Sequence, residues 1–166
     1  PSLKIIPHYE SDPLYIDALV NSINKKINEI SWKPDLIIAS YHGIPKKYFD
    51  KGDPYHCYCH KTTRLISEKF TSIEIKTTFQ SRFGPQEWLQ PYTDKTLENL
   101  PKEGVKNVLT ICPGFASDCV ETLEEIQIQA KESFLNSGGE NFDMVPCLND
   151  NNDHITLLKS LIERNI

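Results

Sequence analysis

Short, nearly continuous apolar runs alternate with longer amphipathic stretches along this chain. Leu36-Ile37-Ile38-Ala39 and Val108 to Ile111 have the composition of strands buried on both faces. Ile73 to Phe79 alternates like a strand, Phe142 to Val145 predicts a short last one, and Leu3-Lys4-Ile5-Ile6 predicts a first one. Between them the period changes. Leu14, Ala18, Leu19, Ile23, Ile27 and Ile30 fall on one helical face, opened by Asp12-Pro13 as cap and first position and closed by Trp32-Lys33-Pro34. Further helices are predicted from His56 to Phe70, from Thr93 or Asp94 to Glu103-Gly104, from Asp118 to about Asn136 before Gly138-Gly139, and from Asn151 onward. Pro45, Gly52 and Pro54 mark one long loop, and Gln80 to Pro91 another. The alternation predicts an α/β fold: a doubly wound, mostly parallel sheet of four or five strands, Rossmann-like, in a single domain over 1–166. There is no internal repeat, low-complexity tract or linker.

Bulk properties remove several classes of function. The formal net charge is -5 and the basic residues are scattered, which argues against a nucleic-acid partner. No apolar run approaches the ~20 residues of a membrane-spanning helix, and the opening residues lack the features of a signal peptide. Five cysteines, an odd number, fit reduced thiols in a cytoplasmic protein. The chain opens on a proline and runs straight into a strand-like segment, so a fragment of something longer is expected.

Two segments carry candidate chemistry, and each begins where a buried strand is predicted to end. In an open parallel sheet, ligands bind beyond the carboxyl ends of the strands. Ser40-Tyr41-His42-Gly43-Ile44-Pro45 places an imidazole there. It serves as a base or metal ligand, or else as a loop histidine bonded to backbone. Pro113-Gly114-Phe115 leads into Asp118, Glu121 and Glu125, which share one helical face. Such a row can pass a hard cation or accept protons. It equally fits a solvated face opposite Val120, Leu123, Ile126 and Ala130, with Asp118 and Glu121 as N-cap and N3 of a capping box. In the proline-rich loop, Trp88 either stacks on a flat ligand or pins the loop to the core. Ser81 and Arg82 suit a carboxylate. His56-Cys57-Tyr58-Cys59-His60 is dense in soft-metal ligands but lacks Cys-x-x-Cys spacing, and Cys57 and Cys59 point apart on a helix.

Taken together, the chain resembles ferrochelatases, and more specifically the C-terminal half of a bacterial member. The resemblance spans essentially the whole sequence. It rests on Ser40 to Pro45, Gly52-Asp53-Pro54-Tyr55, Thr78-Phe79-Gln80-Ser81-Arg82-Phe83-Gly84, Trp88-Leu89, Pro91-Tyr92-Thr93-Asp94, Cys112-Pro113-Gly114-Phe115 and Ser117 to Glu125. It implies a chelatase-like α/β half whose N-terminal counterpart is absent. The implied reaction is insertion of ferrous iron into protoporphyrin IX to give protohaem, a lyase step in haem biosynthesis. His42 and Glu121 match the family's catalytic and metal-binding pair, Asp118 and Glu125 its metal relay, and Ser81 and Trp88 its porphyrin-binding loop. Cys119 departs from members that carry a histidine at that position. No resident cofactor is implied, Fe²⁺ being a substrate, and the lack of cysteines after Cys147 argues against an iron–sulfur cluster. The missing half should leave the isolated fragment weak or inactive. Peripheral membrane contact is left open. A cobalt or nickel tetrapyrrole chelatase and a non-catalytic haem- or anion-binding module are the competing readings.

Overall fold

The computed structural model describes residues 3–166. At its centre is a four-stranded, wholly parallel sheet in the order β2-β1-β3-β4. The strands are β1 (Leu36–His42), β2 (Glu74–Gln80), β3 (Asn107–Ile111) and β4 (Asn141–Met144). The helices are α1 (Pro13–Glu29), α2 (Lys46–Asp50), α3 (Tyr55–Ser67), α4 (Thr93–Asn99), α5 (Val120–Leu123), α6 (Lys131–Asn136) and α7 (Asn152–Glu163). A π-helical turn, Glu125–Ala130, joins α5 to α6.

Two cores explain why the sheet carries apolar residues on both faces. On one face, Ile16, Leu19 and Ile23 of α1, Ile66 of α3 and Leu157 and Leu161 of α7 pack on Ile37, Ala39, Leu109 and Ile111. On the other, Leu97 of α4, Ile126, Ala130 and Phe134 pack on Leu36, Ile38, Val108 and Met144. Each central strand therefore serves both cores with alternate residues. The start of α1 is as the sequence predicts: Asp12 caps it through a 3.0 Å bond from the Leu14 N–H, and Pro13 takes the first helical position.

The expected strand at Leu3–Ile6 is absent. A strand needs a ladder partner for its backbone groups, and this segment joins no edge of the sheet; Leu3 and Ile5 are 86% and 79% exposed. The chain is fastened further on, where the His8 ring stacks on Tyr58 at 4.4 Å and the Thr62 hydroxyl donates to the Glu10 carbonyl at 2.7 Å.

The helix expected from Asp118 to Asn136 begins later and widens midway. Gln129 N–H donates to the Glu124 carbonyl, five residues back. Its buried residues are Thr122, Ile126, Ala130 and Phe134, a spacing of four throughout. A regular α-helix would rotate that row off the core, and the wide turn brings it back. Val120 and Leu123, expected on the buried side, are instead 72% and 45% exposed.

Candidate functional site

The helices after β1 and after β3 lie on opposite faces of the sheet, so a topological switch point falls between these neighbouring strands. β3 ends opposite Ala39, and β1 runs on through Ser40, Tyr41 and His42. His42 thus stands at the lip of the crevice, paired in register with Gln80 on β2.

The imidazole of His42 is oriented from both sides. Its Nδ1 lies 2.6 Å from the Gly43 carbonyl. A carbonyl only accepts, so Nδ1 carries the proton and Nε2 keeps its lone pair free. Tyr55 Oη donates to the His42 carbonyl at 2.9 Å. The rings of Trp88 and Phe115 flank the imidazole at 6.5 and 6.3 Å between centroids. Trp88 is held by a 2.9 Å bond from its indole N–H to the Phe83 carbonyl and by pairing of its strand-like segment with Pro45. Gly43 makes this approach possible. A Cβ there would meet the Gln80 carbonyl at 3.0 Å and the Trp88 ring at 3.3 Å.

Glu121 reaches the same lip from the first turn of α5. A hydrogen bond with Cys119 and one with its own backbone N–H, with a lesser influence from the nearby His42, hold its carboxyl below the usual range. It is a half-buried carboxylate within electrostatic reach of the His42 imidazole. The capping box is not made by Asp118 and Glu121 as the sequence suggested. Cys119 is the N-cap and Thr122 the N3 residue, with the Cys119 N–H donating to Thr122 Oγ1 at 2.9 Å. That arrangement leaves the Glu121 side chain without a capping duty.

The other two acids are occupied. Asp118 accepts from the Cys147 N–H at 3.1 Å, from Asn149 Nδ2 at 2.7 Å and from the Thr122 hydroxyl at 3.3 Å. Burial raises its proton affinity, but these bonds, that of Asn149 foremost, outweigh it and leave the carboxyl below its ordinary value. Such a group stabilises the fold above the unfolded carboxyl value of about 3.9 and loses that contribution as pH falls through its lower folded value. Asp118→Asn should therefore lower the melting temperature at neutral pH and flatten its fall as pH drops below the unfolded carboxyl value of about 3.9. A variant whose acid limb matches the wild type would show that Asp118 does not tie α5 to the segment after β4.

Glu125 binds Ser81 through both oxygens, from the Ser81 N–H at 2.7 Å and its hydroxyl at 2.5 Å. This pair holds Ser81 at a positive φ of 63°, a conformation few non-glycine residues adopt. Arg82 is also engaged, 2.6 Å from Asp94 and stacked over Tyr92 at 4.2 Å. The structure thus brings His42, Glu121 and Trp88 to one lip, and directs Ser81, Glu125 and Asp118 into protein contacts. Among the described residues, no three His, Cys, Asp or Glu side chains form a closed metal cage.

Gln80 is the residue that sequence reasoning passed over. It is buried at the end of β2, with 3% of its surface exposed. Its Nε2 donates to the Glu121 carbonyl at 2.6 Å, and its Oε1 accepts from the Ser40 hydroxyl at 2.7 Å. Ser40 Oγ in turn meets Thr93 Oγ1 at 2.9 Å. Gln80 therefore ties the turn that carries Glu121 to the end of the sheet.

An imidazole and a carboxylate near the switch point of a parallel sheet are group types that can accept protons or offer ligands to a metal. Comparison with known proteins identifies the family. The ferrochelatase family model matches residues 1–166. The chain is 55% identical to the ferrochelatase of Rhizobium meliloti (strain 1021), 54% to that of Allorhizobium ampelinum and 51% to that of Brucella ovis, over 100% of its own length. It spans 50%, 49% and 48% of those proteins, about half the length of the curated relatives it matches. Among solved structures, DR2241 from Deinococcus radiodurans, a multi-domain protein described as structurally similar to chelatases, superposes with a TM-score of 0.58 over 90% of this chain and 29% of its own. At 10% identity that likeness concerns the fold alone. The chain belongs to the ferrochelatase family.

Proposed function

We propose that this chain is the metal-bearing half of an enzyme that inserts ferrous iron into protoporphyrin IX to form protohaem. The observation that carries the reading is the pairing of His42 and Glu121 at the switch point, within a chain that the family model matches from end to end. Metallation requires removal of two pyrrole protons and exchange of the ion's water for new ligands. The unpaired Nε2 of His42 is placed to accept a proton, and the Glu121 carboxylate offers oxygen to the incoming ion. Trp88 supplies a flat apolar wall beside them. Asp118 and Glu125 would need to release Asn149, Cys147 and Ser81 before acting as a relay. In the present arrangement they fix the turn that carries Glu121. Ser81 must likewise leave Glu125 to touch a porphyrin. Fe²⁺ enters as substrate, and the reading calls for no resident cofactor or iron–sulfur cluster.

No described helix is long and apolar enough to cross a membrane. The reading places the protein in the cytoplasm, with its other half supplying the facing wall of the porphyrin cleft. The test follows Fe²⁺ or Zn²⁺ insertion into a soluble porphyrin by absorbance, using a protein of the relatives' length that contains this chain. Turnover is expected there and should be weak or absent for the 166 residues alone. Binding of haem without metallation would instead make this a carrier. Preference for Co²⁺ or Ni²⁺ in competition would make it a different chelatase.

A further inference from the structure

Three of the five histidines are anchored through Nδ1: His8 to Glu10, His42 to the Gly43 carbonyl and His154 to the Asn149 carbonyl, each at 2.6 Å. His56 and His60 differ. No ring nitrogen of either has a hydrogen-bond partner among the described residues, and the two rings face each other with centroids 4.4 Å apart at 47°. They stand four residues apart on α3, which places both on one helical face. We propose that His56 and His60 form a two-imidazole site for one divalent transition metal of the borderline class, such as Zn²⁺, Ni²⁺ or Cu²⁺.

Helix-borne histidines at this spacing can donate two nitrogens to a single ion. Phe49 lies 4.8 Å from the His56 ring, and Phe79 stacks against it at 5.7 Å, so one side of the pair is apolar. Metal binding needs ring nitrogens that are uncommitted to other partners, and these are. The outer side is open, with His60 exposed and His56 half-buried. The adjacent thiols do not compete equally. Cys59 is buried in the core, away from the open side of the pair. Cys57 is exposed but outside any three-donor cluster. Two nitrogens with water in the remaining positions make an open, exchangeable site. Nitrogen sites hold Ni²⁺, Cu²⁺ and Zn²⁺ more tightly than Fe²⁺, so this site selects against the ion assigned to His42 and Glu121. It does not depend on that assignment.

The experiment titrates the untagged chain with Zn²⁺ and Ni²⁺ by calorimetry and follows the imidazole signals by NMR. One ion per chain should bind, with the signals of both His56 and His60 perturbed. His56→Gln and His60→Gln should each weaken binding at least as much as the loss of supporting groups does at metal sites, about 10- to 100-fold. Cys57→Ser should leave it unchanged. Both histidines lie at the surface, and unchanged circular dichroism will confirm that the variants fold. The proposal fails if the double histidine variant binds as the wild type does. It also fails if Cys57→Ser abolishes binding while His60→Gln does not, or if neither ring signal moves.

Discussion

Glu121→Gln, in a protein of the relatives' length, is expected to cut porphyrin metallation by about a hundred- to ten-thousand-fold, the range for loss of a positioned base, and His42→Ala to do the same. The substitution keeps the shape of Glu121 and removes its charge. Because Thr122 makes the capping contact and glutamine can still accept the hydrogen bonds of the half-buried Glu121 side chain, the melting temperature of Glu121→Gln should stay close to the wild-type value. Glu124→Gln is the control. Glu124 accepts a 3.1 Å bond from Gln129 on the exposed side of the turn and touches nothing at the lip, so turnover should persist. Near-normal turnover in Glu121→Gln would assign the carboxylate to the surface and remove it from the chemistry.

Gln80→Leu should have the largest effect on stability and also lower turnover. It keeps the bulk of the side chain and deletes every polar contact. Ser40 retains Thr93, but the Glu121 carbonyl loses its 2.6 Å donor in a confined position. A buried polar group left unpaired costs about 1–3 kcal/mol. At about 2–4 °C per kcal/mol for a chain of this size, the melting temperature should fall by several degrees. Gln80→Glu retains an acceptor for Ser40 but sets an acid beside Glu125, and should be worse than leucine. The two variants separate positioning from packing. A leucine variant with wild-type melting and turnover would mean that Gln80 does not hold the Glu121 turn.

What the sequence revealed follows the strength of its local signals. β1, β3 and α1 are legible because buried parallel strands leave uninterrupted apolar runs and Asp12-Pro13 is a chemical start signal. Leu3–Ile6 has the same local character yet forms no strand, since ladder pairing depends on a partner that local sequence does not specify. The row Asp118, Glu121, Glu125 assumed a regular helix from Asp118. The helix starts at Val120 and widens at Glu125, which sends Asp118 to Asn149 and Glu125 to Ser81. The positions of His42 at the end of β1 and of the Glu121 segment beyond β3 were legible from the apolar runs before them. The role of Gln80 was not, because a glutamine acquires its partners only when Ser40, Glu121 and the end of β2 meet in space.

Val120 and Leu123 leave apolar surface open on either side of Glu121 in the chain. The half-buried Glu121 carboxylate still faces solvent, which screens its interactions with nearby charges. A broad apolar face laid over the same turn would displace the water and lower the local dielectric constant. The carboxylate's proton affinity would then rise, while its attraction to a cation beside it would strengthen several-fold. Under the proposed function, the readiness of Glu121 to take a proton or grip an ion would thus depend on what covers it, and a flat ligand seated first would prepare the carboxylate for an ion that follows.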